Sequence, residues 1–214
     1  TSARSTDNGK TWTQHDMPKG EGGSVAYGDG VFVAVNYSSN TCARSTDNGV
    51  TWTQHVMPNK EWESVAYGDG TFVAVSYDSN TSARSTDNGK TWTQHDMPIE
   101  GWRGITYGDG VFVAVSSSSN TCARSTDNGK TWTQHDMPNG GWISVAYGNG
   151  VFVAVSYSSN TSVTSTDNGE TWSQHDMPDG DWCSVAYGDG VFVAVSSSSN
   201  TSVTSTDNGE TWKG

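Results

Sequence analysis

The chain is poor in charge, cysteine, proline and long apolar runs. Charged residues make up only 16% of its 214 positions, and cations are the scarcer sign, with 11 Lys and Arg against 23 Asp and Glu. The resulting net charge of −12 opposes binding to nucleic acid or to an anionic membrane by general electrostatics. No apolar stretch approaches the roughly 18 to 20 residues of a spanning helix. No segment carries a helical hydrophobic period. The three cysteines, Cys42, Cys122 and Cys183, are too few and too scattered for a zinc site. No signal peptide is visible and the first residue is not Met, so the chain is expected to be a fragment or a processed product.

What is abundant is Gly, with 25 copies, and Trp, with 10. An acidic disordered chain would lack such aromatics. The phrase Ser-Thr-Asp-Asn-Gly-x-Thr-Trp begins at Ser5, Ser45, Ser85, Ser125, Ser165 and Ser205, at an unbroken spacing of 40 residues. Near-identical units of that length stack into one repeat architecture, so residues 1–214 are read as a single domain.

Within one unit, Ser24 to Tyr27 is a short alternating run (strand A). Gly28-Asp29-Gly30 turns the chain, and Val31 to Val35 (strand B) is apolar on both faces, as in a strand held between two layers. Thr41 to Thr46 is strand C, Asp47-Asn48-Gly49 turns again, and Thr51 to His55 is strand D, ended by Pro58. Four antiparallel strands in about 40 residues match one blade of a β-propeller. The all-β chain is therefore expected to form four-stranded blades starting near residues 22, 62, 102, 142 and 182. That makes five blades, with six as the alternative. Residues 1–18 are an orphan C–D hairpin and 201–214 a second one. Only one of them can complete the last blade; if the N-terminal copy does so, N- and C-terminal segments meet in one blade, and the other copy is left over.

The repeated phrase resembles the Asp-box, or bacterial neuraminidase repeat, through Asp7, Trp12, Asp47, Trp52, Asp87, Trp92, Asp127, Trp132, Asp167, Trp172, Asp207 and Trp212. The resemblance implies a β-propeller with the box in each C–D turn, as a fold element rather than an active site. An Asp accepts turn N–H groups, Gly takes the left-handed position and Trp covers the turn.

The same resemblance raises glycoside hydrolysis of sialidase type, which would call for converging arginines, a Tyr–Glu nucleophile pair and an acid. Arg4, Arg44, Arg84 and Arg124 instead occupy one repeat position on strand C, some 10 Å outward from strand A. Only Arg103 breaks the repeat, together with the acids Glu21, Glu61, Glu63 and Glu100. A local carboxylate pair is not evident, and the expectation is no enzyme. Each unit has one His on its outermost strand, and Asp-Asn-Gly lacks a calcium-loop spacing. No metal or cofactor is therefore expected. Cys42 and Cys122 stand where other copies have Ser, two units apart, and cannot reach disulfide distance. All three thiols are read as free.

The copies agree in the A–B and C–D turns and differ in the D–A and B–C connections, which should share the opposite face of the disc. Candidate ligand-binding residues there are Trp62, Trp102, Trp142, Trp182, Tyr37, Tyr77, Tyr157, Glu63 and Arg103. The competing account of the four Trp residues is that they fill the gaps between blades. The reading is a non-catalytic, lectin-like propeller that recognises glycans or a protein surface. One rival is a recently amplified or engineered propeller without an evolved ligand. An extracellular or cell-surface setting is expected, as a monomer or as an oligomer exchanging the spare hairpin.

Overall fold

The structure, a computed structural model, describes residues 1–20 and 22–214. Glu21, one of the repeat-breaking acids, lies outside the described residues. An N-terminal hairpin pairs β1 (Ser2–Arg4) with β2 (Thr13–His15) as a two-stranded sheet. The first blade follows, with β3 (Gly22–Gly28), β4 (Val31–Asn36), β5 (Thr41–Ser45) and β6 (Thr53–Val56) in sheet order 3-4-5-6. The second blade is β7 (Trp62–Gly68), β8 (Thr71–Ser76), β9 (Thr81–Ser85) and β10 (Thr93–Asp96). The third is β11 (Trp102–Gly108), β12 (Val111–Ser116), β13 (Thr121–Ser125) and β14 (Thr133–Asp136). The fourth is β15 (Trp142–Gly148), β16 (Val151–Ser156), β17 (Thr161–Ser165) and β18 (Ser173–Asp176). The fifth has β19 (Trp182–Gly188), β20 (Val191–Ser196) and β21 (Ser202–Ser205), with a bridge from Thr204 to Lys213 as its fourth position. The innermost strands β3, β7, β11, β15 and β19 surround one hollow of about 380 Å³, lined by residues such as Ser24, Ser64 and Ser144. The molecule is a five-bladed β-propeller with an added N-terminal half-blade.

The turns explain the local geometry. Asp29 and Gly30 both have positive φ (48° and 75°), which gives the two-residue turn whose twist matches the flanking strands. In the box, Ser45 Oγ donates to Asp47 Oδ1 at 2.8 Å, and the Gly49 amide donates to Ser45 Oγ at 2.9 Å. The Thr51 amide and hydroxyl donate to Asp47 at 2.9 and 2.6 Å, and Trp52 Nε1 donates to Gly49 O at 3.1 Å. These bonds hold Thr51 and Trp52 in the turn, so strand D begins at Thr53, two residues later than the alternation suggests.

Four cores lie between consecutive blades. In the first, Val31, Val33 and Val35 meet Trp62, Val65 and Phe72 of the next blade, and the other three repeat this arrangement. Strands β8, β12 and β16 are buried on both faces, as their unbroken apolar pattern requires. Blades are also tied by polar contacts. Arg44, Arg84 and Arg124 each donate Nε to the box carbonyl of the next blade (Asn88, Asn128 and Asn168) at 2.7 to 2.9 Å. Ala66 and Ala146 turn into the inter-blade cores.

At the seam, the C-terminal segment supplies the third strand of the fifth blade, while β1–β2 stands as a separate sheet against the first. The two terminal sheets, β1–β2 and β19–β21, are the pieces that a shared blade would join.

Candidate functional site

The two faces of the disc differ as the repeat comparison requires. On one, A–B turns meet the boxes of the next blade, as in Asn128 Nδ2 to Asp69 Oδ2 at 2.9 Å. On the other, D–A and B–C segments bond to each other: Gly101 N donates to Tyr77 O at 2.9 Å and Ser117 N to Gly101 O at 3.1 Å.

The second face carries a cavity of about 440 Å³, lined by Glu63, Arg103, Ile143, Cys183, Ser117 and Tyr157, with Gly141 and Ser158. Four of these, Glu63, Arg103, Ile143 and Cys183, occupy one repeat position in four consecutive blades. The reason they project together is a register shift. Between Trp62 and Ser64 the A–B pairing skips one residue, and the same bulge recurs between Trp102 and Gly104, Trp142 and Ser144, and Trp182 and Ser184. A bulged residue leaves the ladder and its side chain is re-aimed. Here it is aimed at the mouth of the hollow, where Glu63, Arg103, Ile143 and Cys183 also border the channel.

Arg103 organises the polar side. Its Nη1 donates to Glu63 Oε1 at 2.8 Å, its Nε reaches Ser117 Oγ at 3.4 Å, and its guanidinium stands 3.8 Å from the Tyr77 ring centroid. Tyr157, 50% exposed, offers a ring at the cavity rim. The site therefore joins an aromatic face, a charged pair and hydroxyls.

Four nominated residues are corrected. Trp62, Trp102, Trp142 and Trp182 are 0 to 1% exposed and cannot stack on a ligand. Each fills an inter-blade core and donates Nε1 to a carbonyl of its own D–A connection: Pro58, Ile99, Pro138 and Pro178, at 2.7 to 3.1 Å. Glu63, Arg103 and Tyr157 do meet in one cavity, and Tyr77 supports Arg103. Tyr37 is exposed on the first blade and does not line that cavity. Reading residue types one at a time passes over Ile143, Cys183, Ser117 and Ser158. The signal that finds the first two is positional, since they share the repeat slot of Glu63 and Arg103.

Elsewhere the chemistry is structural. Bonds from the Thr51 side chain and amide, then Ser45, lower the Asp47 carboxyl to about 2, and Asp7 and Asp207 are lowered to about 2 in the same way. Cys42 and Cys122 are free and buried, and burial pushes both thiols up to about 11. Cys122 Sγ accepts Trp172 Nε1 at 3.3 Å, where Ser82 and Ser162 accept Trp132 and Trp212 at 3.0 and 2.9 Å. The histidines pair with threonines on their own blades, as in Thr93 Oγ1 with His95 Nε2 at 3.2 Å and Thr164 Oγ1 with His175 Nε2 at 2.9 Å.

Radial four-stranded blades around a shared hollow define a β-propeller, and solved propellers superpose on it. A crystal structure of a nidogen/laminin complex matches with a TM-score of 0.72 at 12% identity, over 86% of this chain and 74% of that one. A catalytically inactive virginiamycin B lyase from Staphylococcus aureus, solved with quinupristin, matches with a TM-score of 0.76 at 18% identity, over 90% and 69%. YCF48 bound to D1 peptide matches with a TM-score of 0.68 at 18% identity, over 91% and 66%. At these identities the likeness is one of fold. The model of the BNR/Asp-box repeat matches residues 3–14, 83–94, 123–134, 163–174 and 203–213. The chain carries BNR/Asp-box repeats on a β-propeller fold. No curated protein matches its sequence.

Proposed function

We propose that this propeller is a non-catalytic binding module that recognises a glycan through the D–A and B–C face. The observation that carries the reading is the convergence of repeat-breaking residues in one cavity. A scaffold of near-identical blades concentrates its variation at Glu63, Arg103, Ile143 and Cys183, beside Tyr157. A sugar presents an apolar C–H face and a set of hydroxyls. Tyr157 suits the first, and the Arg103–Glu63 pair with Ser117 and Ser158 suits the second. The charged groups here are one arginine and one carboxylate already bonded to each other, an arrangement suited to holding a ligand and ill-suited to acid–base turnover. A protein surface bearing an exposed polar loop would use the same groups. The nidogen/laminin complex and YCF48 bound to D1 peptide support binding as a use of this fold.

A glycan array probed with the chain and with Tyr157→Ala and Arg103→Ala tests the proposal. The expected result is capture of a restricted glycan set that both substitutions abolish. Capture indifferent to both, or no capture at all, overturns it, and the latter leaves an amplified propeller without a ligand as the better account. Turnover of a fluorogenic glycoside would overturn the non-catalytic part.

A further inference from the structure

The cavity on the D–A and B–C face does not end at its rim. Glu63, Arg103, Ile143 and Cys183 line both that cavity of about 440 Å³ and the hollow of about 380 Å³ beside it, so the two form one continuous space. The lining of the hollow continues to Val65, Ile105 and Val145, two residues along their strands from Glu63, Arg103 and Ile143. At about 3.3 Å per residue, the hollow reaches about 6 to 7 Å below the rim. Its volume falls within the roughly 300 to 1,000 Å³ of small-ligand sites.

The wall of the hollow is polar. β3, β7, β11, β15 and β19 are each the end strand of their sheet. They are paired on one side, and their other edges turn amides and carbonyls toward the axis. Backbone groups of that kind are satisfied by water or by a ligand. The hydroxyls of Ser24, Ser64 and Ser144 stand among them. Ser144 Oγ accepts the Val185 amide at 3.1 Å. Ser24 and Ser64 are half-buried and have no hydrogen-bond partner among the described residues. The charged side chains among the described residues of the lining are Glu63 and Arg103, and these are bonded to each other at 2.8 Å.

We propose that the hollow is a subsite for the terminal sugar of a glycan, so that the propeller recognises chain ends and not internal segments. The inference rests on the glycan reading of this face and extends it inward. Access argues for an end. The inner strands of five blades enclose the hollow, so a chain lying across the face passes over it and a free end can enter. Chemistry argues for a sugar. A hydroxyl both donates and accepts, which matches a wall that carries amides, carbonyls and serine hydroxyls together. The C–H face of the ring would meet Val65, Ile105 and Val145 at the inner end. A peptide terminus would instead carry a full charge into a space whose charged pair is already satisfied, and nothing there offsets its desolvation.

With the terminal ring in the hollow, the next ring lies in the cavity above it, against Tyr157 and the Arg103–Glu63 pair. Sugar hydroxyls that reproduce the bonds of the water they displace lose little enthalpy on entry.

An array of linear glycans tethered at their reducing ends tests this, because their far ends are free. Captured members should share a terminal sugar whatever lies beneath it. Adding one further sugar to that end should remove capture, and the free methyl glycoside of the terminal sugar should compete. Ser64→Leu and Ser24→Leu fill the hollow from two different blades and leave Tyr157 and Arg103 in place. Each should weaken capture by about tenfold or more at the wild-type melting temperature, and the pair guards against one variant that fails to fold. Two results overturn end recognition while the glycan reading stands. One is capture that survives extension of the chain end. The other is capture that Arg103→Ala abolishes and both leucine variants leave unchanged. No capture of any glycan, with or without capture of unglycosylated peptides printed beside them, overturns both.

Discussion

Gly148 lies directly against the ring of Tyr187, so close that a single methyl group would stand 2.1 Å from the aromatic carbons. No positive φ is required at this glycine, so alanine is allowed by the backbone, and on chain entropy alone it would stabilise the fold by about 0.4 to 1 kcal/mol. Steric crowding at the interface opposes that gain and is larger. Gly148→Ala is expected to lower stability by about 1 to 3 kcal/mol in denaturant unfolding, with Gly68→Ala and Gly108→Ala alike. A neutral result would mean that the blades slide past each other freely.

The two sets of tryptophans should separate in the same measurement. Trp142 is fully buried between blades, and truncation to Ala removes a whole ring from a packed core, at a cost of about 3 to 5 kcal/mol. Trp12 covers an outlying turn in solvent, 63% exposed, so Trp12→Ala should stay within about 0.5 kcal/mol. Ligand capture that falls with Trp142→Ala should therefore fall in proportion to unfolding.

That contrast marks how far the residues could be read. The blade order, the turn types and the faces on which the loops lie all follow from period, glycine placement and alternation, because those depend on local backbone chemistry. The burial of Trp62, Trp102, Trp142 and Trp182 depends on the neighbouring blade, and a residue in a variable loop gives no local sign that it is swallowed by the next sheet. The cavity was half legible. Glu63 and Arg103 stand out as charges where copies differ, but Ile143 and Cys183 join them only through a bulge, which is a property of pairing register. The late start of strand D was hidden in the same way, since Asp47 holds Thr51 by side-chain bonds that compete with the ladder.

Acid should attack the boxes first. Thr51 and Ser45 hold the folded Asp47 carboxyl at about 2, below the ordinary value of about 3.9. A depressed carboxyl stabilises the fold above its unfolded pKa and loses that contribution as pH falls toward the folded value. The melting temperature should thus be insensitive to these groups near neutrality and decline between about pH 4 and pH 2. Asp127, also lowered to about 2, is affected first by burial, which raises it, and then by the Thr131 and Ser125 bonds, which prevail. Asp47→Asn and Asp127→Asn should each make that acid decline shallower. An unchanged decline would assign acid sensitivity to other carboxylates.

Thiol labelling should distinguish Cys183 from its two counterparts. Cys42 and Cys122 are buried and their thiols are pushed up to about 11 by burial, which suppresses the reactive thiolate. Cys183 is half-buried at the cavity. A maleimide should modify one site per native chain and three in denaturant, with peptide mapping placing the first at Cys183. Modification of Cys122 at an equal rate would show that the inter-blade core opens on the labelling timescale.

Arg103 and Arg84 provide the sharpest separation of binding from folding. Arg84 donates Nε to Asn128 O of the next blade at 2.7 Å, so Arg84→Ala removes a half-buried inter-blade hydrogen bond and should cost about 0.5 to 1.5 kcal/mol. Arg103 is a partly exposed side chain whose ion pair with Glu63 contributes about 0 to 1 kcal/mol after solvent screening. Arg103→Ala also removes the cation above Tyr77 and leaves Glu63 unpaired at the channel mouth, so the cavity becomes more acidic while the blades stay in place. Capture of the array-selected glycan should therefore be lost in Arg103→Ala at nearly wild-type stability. It should persist in Arg84→Ala at reduced stability, as calorimetry paired with a binding titration would read. Loss of both properties together in Arg103→Ala would make that residue a structural clamp and move the binding site elsewhere on the face.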